Sequence, residues 1–332
     1  MATPALAAVH NIFPNASISI IIRENLDELF TGCPFAQEVI PLPKVSGFSK
    51  TAQILKIAQH LRRKKFDLAI CLPHSFSSAL IFQLAGIRHR IGYSAEGRKI
   101  FLTQSLPYPF DGERPHRVKF FMQLVEIAVG RRLAAPPLAV WPNALTEEQK
   151  TALAEKTRGF ENLVTVAPGS AGTSKRWFVE RYAEVVRKLV KERGVQVVLV
   201  GASYDRLTCE EVARLSEVSP VNLAGQTSLS ELYFLFQKSR VFLGNDSGAG
   251  HLAAASGVPV VILTGAGDPD EIAPWTEKKT VLFKKIFCSP CYRPTCRRKD
   301  HPLECMDKIG SDEVWLAVKN WLDKMERLVA VS

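Results

Sequence analysis

The stretch "VFLGNDSGAGHLAAASGVPVVILTGAGDP", Val241–Pro269, sets two wholly apolar runs on either side of a polar, glycine-rich gap. A strand with one wet face alternates apolar and polar residues. Runs such as "VFLG" and "VPVVIL" do not alternate, so they read as strands buried on both faces, the condition of a parallel sheet covered by helices. The small-residue segment "GAGHLAAASG" between them reads as the connecting helix. The polar gap therefore falls where a strand ends and a helix begins, the place where open parallel sheets bind ligands.

Outward from this unit the same alternation continues. "NLVTVAPGS", "VQVVLVGAS" and "VNLAG" read as strands, and "FVERYAEVVRKLVKERG", "DRLTCEEVARLSEV" and "SLSELYFLFQKSR" as helices. Strand–helix alternation of this kind predicts a doubly wound parallel sheet. The first half repeats it more weakly, with strands in "SISIII" and "DLAICLP" and helices in "TPALAAVHNIF", "SKTAQILKIAQHLRRKKF" and "SFSSALIFQLAG". The prolines at 136, 137 and 142 interrupt the alternation between the halves. The expected organisation is a first α/β domain over 1–135, a connection over 136–158, a second α/β domain over 159–310 and a terminal helix over 311–332.

The 332 residues are 46% hydrophobic and 23% charged, a globular composition. No apolar run reaches the ~18 residues of a membrane span, and "MATPALAAVHNIF" has neither a basic leader nor a cleavage site. A cytoplasmic protein is expected. Lys and Arg exceed Asp and Glu by 43 to 33, with basic clusters at 62–65, 88–90, 131–132 and 297–299. Such clusters favour an anionic partner or form a solvated face. They are scattered and accompany no nucleic-acid motif, so no nucleic-acid partner is expected.

At the polar gap, the unpaired N–H groups of the helix's first turn and roughly half a positive charge form an anion site, which Gly248 and Gly250 leave open to close approach. Phosphate suits it. Asp246 would repel phosphate and is better fitted to accept from ligand hydroxyls, while His251 in the first helical turn can donate to a phosphate oxygen. The plainer reading is that Asp246 or Ser247 only caps the helix. Three more strand-end loops are polar: "APGSAGTSKRW" with Lys175, "GASYD" with Ser203 and Asp205, and "AGQTS" with Thr227. Four such loops on one sheet edge suggest a nucleotide diphosphate site, although no Walker loop is present. "GDPDE" at 267–271 has the D-x-D spacing of some metal-holding transferases but reads as a turn and helix cap.

Seven cysteines, an odd number without a signal segment, argue against a disulfide scaffold. Cys288, Cys291, Cys296 and Cys305 form C-x2-C-x4-C-x8-C, a spacing that matches no standard zinc ribbon. A structural or redox-labile loop, a bound metal and direct acceptor contact remain the alternatives, and Arg297, Arg298 and Lys299 lie within the same loop.

The segments "MATPALAAVHNIFPNA", "FDLAICLPHSFSSALIFQLAGIRHRIGY", "APGSAGTSKRW", "NDSGAGHLAAASGVPVV" and "CSPCYRPTCRRKDHPLECM" together resemble the ADP-heptose:lipopolysaccharide heptosyltransferases, a glycosyltransferase family of GT-B architecture. The resemblance covers nearly the whole chain. It implies two Rossmann-like domains with parallel sheets facing a cleft, and inverting transfer of heptose from ADP-heptose to the lipopolysaccharide inner core. No metal or other cofactor is required, and peripheral contact at the cytoplasmic face of the inner membrane is implied.

Carried over, Ser170 and Lys175 match the phosphate-side positions, with Lys175 stabilising the leaving group; Asp246, Ser247, Gly248 and His251 match the donor signature; Thr227 lines the adenine side. Ala171 stands where some members have Thr, and Ser203 where some have Glu. Ser75 and Ser77, after the strand "DLAICLP", and Arg88 and Arg90 in "GIRHRIGY" are expected on the acceptor side, with His74 as a stand-in base; the alternative is an ordinary helix cap at Ser75, solvated arginines and a surface histidine. Members begin with a strand and a "GD" loop bearing the proposed base Asp, which aligns just upstream of Met1. The first strand of the N-terminal domain and the base are therefore expected to be missing from this sequence. The alternatives are another GT-B sugar-nucleotide transferase or epimerase, or a catalytically impaired binder.

Overall fold

The computed structural model describes residues 1–43, 48–109 and 114–331. They divide into two units, one comprising Met1–Asp27 and Phe35–Pro136, the other Glu28–Pro34 and Pro137–Ser332.

In the first unit the order is α1 (Thr3–Ile12), β1 (Ile18–Arg23), β2 (Ala36–Leu42), α2 (Phe48–Lys64), β3 (Leu68–Cys71), α3 (Phe76–Leu84), β4 (His89–Ser94), β5 (Gln104–Pro107) and α4 (Arg117–Val129). Every strand pair is parallel, but the strands form two sheets, β1-β2 and β3-β4-β5. The core includes two clusters, the first of which touches both sheets through Ile21, Ile40 and Ala69. Ile57, Leu61, Ile81 and Ile87 pack under one part, and Ile91, Tyr93, Phe120 and Leu124 under the other, with Tyr93 and Phe120 stacked at 3.9 Å.

The second unit contains α5 (Glu147–Thr157), β6 (Leu163–Ala167), α6 (Val179–Arg193), β7 (Gln196–Leu199), α7 (Arg206–Ser216), β8 (Val221–Asn222), α8 (Leu229–Lys238), β9 (Ser239–Asn245), α9 (Gly248–Ser256), β10 (Val260–Thr264), α10 (Pro269–Ile272), β11 (Lys279–Phe283), α11 (Glu304–Asp307) and α12 (Ser311–Val331). One parallel sheet of order β11-β10-β9-β6-β7-β8 runs through it. All of β6 and β10 is buried, as continuous apolar runs require. One core cluster lies beneath α6, α7 and α12, and the other beneath α8 and α9.

The segment read as a connection, 136–158, does not stand apart from the second unit. Leu138, Leu145 and Leu153 are buried in its core, and a reciprocal Thr146–Gln149 cap starts α5. The terminal helix α12 likewise belongs to this core through Val314, Val318 and Leu322. Among the described residues no helix is long and apolar enough to cross a membrane.

Candidate active site

Because the second sheet is wholly parallel, the loops that follow its strands all leave from one edge. The order β10-β9-β6-β7 places the turns after Thr264, Asn245, Ala167 and Leu199 side by side. Asn245, at the end of β9 and fully buried, joins them. Its Oδ1 accepts from the Trp177 amide (3.2 Å) and the Tyr182 hydroxyl (3.0 Å), while its Nδ2 donates to the Pro168 carbonyl (2.8 Å). A single amide thus fixes both ends of the 168–177 loop. A buried amide satisfied on both its oxygen and its nitrogen specifies one arrangement, since breaking any bond leaves an unpaired polar group. Asn245 received no role from the sequence. Its position in "LGNDSG", one residue before Asp246, was the available signal.

Lys175 and Asp246, 71 residues apart, are brought together: the Lys175 Nζ donates to Asp246 Oδ2 at 2.6 Å. Asp246 is only 7% exposed, and the lysine is the more exposed partner. Asp246 therefore orients the ammonium group, a use the sequence did not suggest for it. The lysine also sits on a short turn, Thr173–Lys175, that is held from the far side. The Ser174 amide donates to the Pro294 carbonyl at 3.1 Å, the Ser174 hydroxyl donates to the Arg293 carbonyl, and the Arg176 Nε donates to the Ser170 carbonyl at 2.8 Å.

No side chain caps α9. Its N-cap residue Ser247 makes no capping bond, and the buried Ser247 Oγ has no hydrogen-bond partner. The reading of Asp246 and Ser247 as a mere helix cap therefore fails. A methyl group added at Gly248 would meet nothing within 4 Å, whereas one at Gly250 would lie 2.8 Å from Ile262 Cδ1. Gly248 is thus the open position, and Gly250 serves close packing of α9 on β10. His251 lies partly exposed in the first turn. The edge accordingly presents a helix terminus without a protein cap and an oriented ammonium, beside a buried hydroxyl that no protein group satisfies, which is chemistry for an anion.

Asp205 differs from its expected ligand-facing role. It is 4% exposed, its Oδ2 accepts from the Ala202 amide at 3.1 Å, and its Oδ1 is buried without a hydrogen-bond partner. Burial pushes its carboxyl above the usual range, against the opposing pull of the Ala202 amide and Arg176. A methyl at Gly169 would lie 2.1 Å from Asp205 Cγ, so the side chain fills the space beneath the Ser170 turn. Ser203 is exposed, and its backbone packs on Gly225, whose φ of +74° and lack of a Cβ permit that approach. Thr227 is half-buried two residues further on.

In "GDPDE", the Asp268 carboxylate accepts from the Asp270 amide at 3.0 Å and starts α10. The four clustered cysteines are free thiols that line one cavity of about 420 Å³ together with Ser174, Arg293, Arg297 and Arg298. Among the described residues no three His, Cys, Asp or Glu side chains are arranged to hold a metal ion. Arg298 is engaged by Asp300 and Glu304. The visible work of this loop is mechanical: its Cys291 and Tyr292 amides donate to the Ala266 carbonyl at 3.0 and 2.7 Å, and its 293–294 carbonyls hold the turn that carries Lys175.

In the first unit the four residues expected on the acceptor side do not share an edge. Ser75 and Ser77 follow the carboxyl end of β3, at the head of α3. Arg88 and Arg90 are at the amino end of β4, where β3 begins, because Leu68 pairs with His89 in the parallel register. Arg90 is moreover occupied: its Nε donates to the Phe101 carbonyl at 2.7 Å and its Nη1 to the Ile87 carbonyl. A basic cluster adjacent in sequence to a strand is placed at one end or the other by strand direction, and here direction separates it from the serines.

Comparison with known proteins gives the family and the fold. The family model of glycosyltransferase family 9 (heptosyltransferase) matches residues 54–301. Lipopolysaccharide heptosyltransferase 2 of Salmonella typhimurium is 31% identical over 280 residues, 81% of this chain and 80% of that protein. The structure of the E. coli ADP-heptose lps heptosyltransferase II superposes with a TM-score of 0.79 at 25% identity, covering 98% of this chain and 95% of that one. A glycosyltransferase family 9 structure from Veillonella parvula gives 0.83 at 21% identity, over 97% and 93%.

Proposed function

Because the chain belongs to glycosyltransferase family 9, whose model covers most of it, we propose that it transfers heptose from ADP-heptose to a lipopolysaccharide core acceptor. The observation that carries this reading is the Lys175–Asp246 pair beside the uncapped start of α9. The second unit's strand edge holds the ADP-sugar, with Ser170, Ser247, Gly248 and His251 around the diphosphate and Ser203 and Thr227 toward the nucleoside. The serine-bearing edge of the first unit takes the acceptor. No metal takes part in this scheme.

The reaction displaces ADP from the anomeric carbon, so negative charge grows on the leaving diphosphate. A helix terminus contributes about 0.3–1 kcal/mol and a charge-assisted bond from Lys175 about 1.5–3. Together they lower the barrier by about 2–4 kcal/mol, roughly 30- to 10³-fold in rate. The remainder comes from orienting the two sugars and from removing the acceptor proton. Asp246 has a defined part. It holds the ammonium aimed before the donor arrives, so little reorganisation is needed as the charge develops. Exposed Arg62, Arg63 and Lys65 at the end of α2 suit peripheral contact with an anionic membrane surface.

ADP release, measured with ADP-heptose and mono-heptosylated core, tests the proposal, with UDP- and GDP-sugars as competing donors. Turnover restricted to ADP-heptose is expected. Equal use of UDP- or GDP-sugars, or binding of ADP-heptose with no release of ADP, would refute it.

A further inference from the structure

The first unit contains a fully buried arginine that neither composition nor motif singled out. Arg98 has 0% exposure and, among the described residues, makes no ion pair. Its Nε donates to the Tyr93 carbonyl at 2.7 Å. Its Nη1 donates to the carbonyls of Pro73 (2.5 Å) and Ser75 (3.2 Å), and lies 3.2 Å from Ser78 Oγ and 3.3 Å from Cys71 Sγ. The remaining Nη2 is buried without a hydrogen-bond partner, and a methyl at Gly92 would come within 3.0 Å of it.

Burying a guanidinium with no carboxylate beside it is expensive, and an apolar side chain of similar volume often serves stability as well or better. The local backbone is also arranged to allow it: Glu96 and Gly97, immediately before Arg98, have φ of +50° and +72°. A left-handed non-glycine residue next to a left-handed glycine is a costly turn, and such costs cluster where a function requires them. The same turn reaches the loop twice, since the Glu96 carboxylate accepts from the Phe76 amide at 3.4 Å, at the first residue of α3. Apart from the Tyr93 carbonyl, the side-chain contacts of this turn fall between Cys71 and Ser78, the segment that carries His74 and Ser75 at the carboxyl edge of β3.

We propose that Arg98 is a positioning residue of the acceptor side: its planar fork fixes the 73–75 loop and the head of α3, so that His74 and Ser75 meet the acceptor sugar in one geometry. This rests on the reading above that this edge takes the acceptor. It also replaces Arg88 and Arg90, at the opposite edge, as the arginine that matters there. Lysine keeps the charge but has no fork, so it cannot hold the Tyr93 carbonyl and the Pro73 and Ser75 carbonyls in fixed relation.

The test uses the full chain and its Arg98→Lys and Arg98→Met variants. Affinity for mono-heptosylated core saccharide, affinity for ADP and amide hydrogen exchange along 72–78 are measured for each. In Arg98→Lys the core saccharide is expected to bind about tenfold more weakly, with about tenfold faster exchange confined to 72–78 and ADP affinity unchanged within about twofold. Arg98→Met should lose more on the first two measures and nothing on the third. Core-saccharide affinity within about twofold of wild type in Arg98→Met overturns the proposal alone. Loss of ADP affinity with faster exchange throughout the chain in both variants also overturns it, by showing a general structural role. A wild-type protein that binds ADP but not the saccharide overturns the acceptor reading on which it stands.

Discussion

The two units use the same strand–helix alternation to different ends. In the second, a single six-stranded sheet buries β6, β9 and β10 almost completely, and the polar loops at its carboxyl edge are tied to one another by Asn245, Lys175 and Asp246. In the first, the five strands among the described residues are split between two sheets, β1 and β2 are mostly half-buried, and the loop after β3 is bonded by Arg98 and Glu96. The difference teaches that a site is secured where side chains from separate loops meet each other, and that sequence motifs mark such loops without showing the ties between them.

The largest effect that would sharpen the comparison belongs to Asn245→Leu. It removes the partners of the Trp177 amide, the Tyr182 hydroxyl and the Pro168 carbonyl at once, and at about 1–3 kcal/mol for each group left unsatisfied the loss is about 3 kcal/mol or more. Urea unfolding measures it; a loss under about 1 kcal/mol would mean that the loops do not depend on this tie.

Lys175→Ala comes next. Turnover should fall about 10- to 10²-fold, from a charge-assisted bond of about 1.5–3 kcal/mol, while ADP-release assays on a protein with intact circular dichroism exclude unfolding. Near-normal turnover would remove the second unit's edge from the reaction.

Gly169→Ala should then cost about 1–3 kcal/mol in thermal or urea unfolding, since its methyl would overlap the buried Asp205 side chain. An unchanged midpoint would show that Asp205 moves freely and is not the filler described here.

A smaller, pH-dependent effect is expected at Glu28, whose carboxylate accepts from the Leu229 and Ser230 amides at the start of α8 (3.1 and 2.8 Å). Partial burial would raise its pKa, but the Ser230 and Leu229 hydrogen bonds outweigh it and hold the carboxyl below its ordinary value. A depressed acid contributes stability above its unfolded pKa and loses it as pH falls through the folded one. Glu28→Gln should therefore destabilise by about 1 kcal/mol at pH 7, with the gap to wild type closing once both proteins are well below the ordinary carboxylate range. A gap that persists at acid pH would show that the charge is not what matters.

Least of all is expected from Arg88→Ala, which lies at the amino edge of β4. Its affinity for core saccharide should stay within about twofold of wild type, and a larger drop would restore the cluster 88–90 to the acceptor side.

Much of the fold was legible because it follows from local pattern. An apolar run such as "VPVVIL" has few fates other than a strand covered on both faces, and a polar gap before a run of small residues marks a strand end and a helix start whatever surrounds it. That the polar loops share one edge was legible for the same reason, since loops after parallel strands must emerge together. The ionic partner of Lys175 was not, because Lys175 and Asp246 are separated by 71 residues and only the sheet order makes them neighbours. Arg90 and Asp205 misled for a related reason: a charged side chain near a motif reads as available, and only packing shows it occupied by carbonyls or buried under a turn.

By itself, then, the sequence determined that this protein is built from parallel α/β layers and that its polar loops would line a strand edge. The tertiary structure alone decided that Lys175 pairs with Asp246, that Asn245 ties β9 to the 168–177 loop, and that Arg98 bonds the carbonyls of Pro73 and Ser75. Periodicity is a property of neighbours along the chain. A hydrogen bond between distant loops depends on strand order, register and direction, which no local stretch contains.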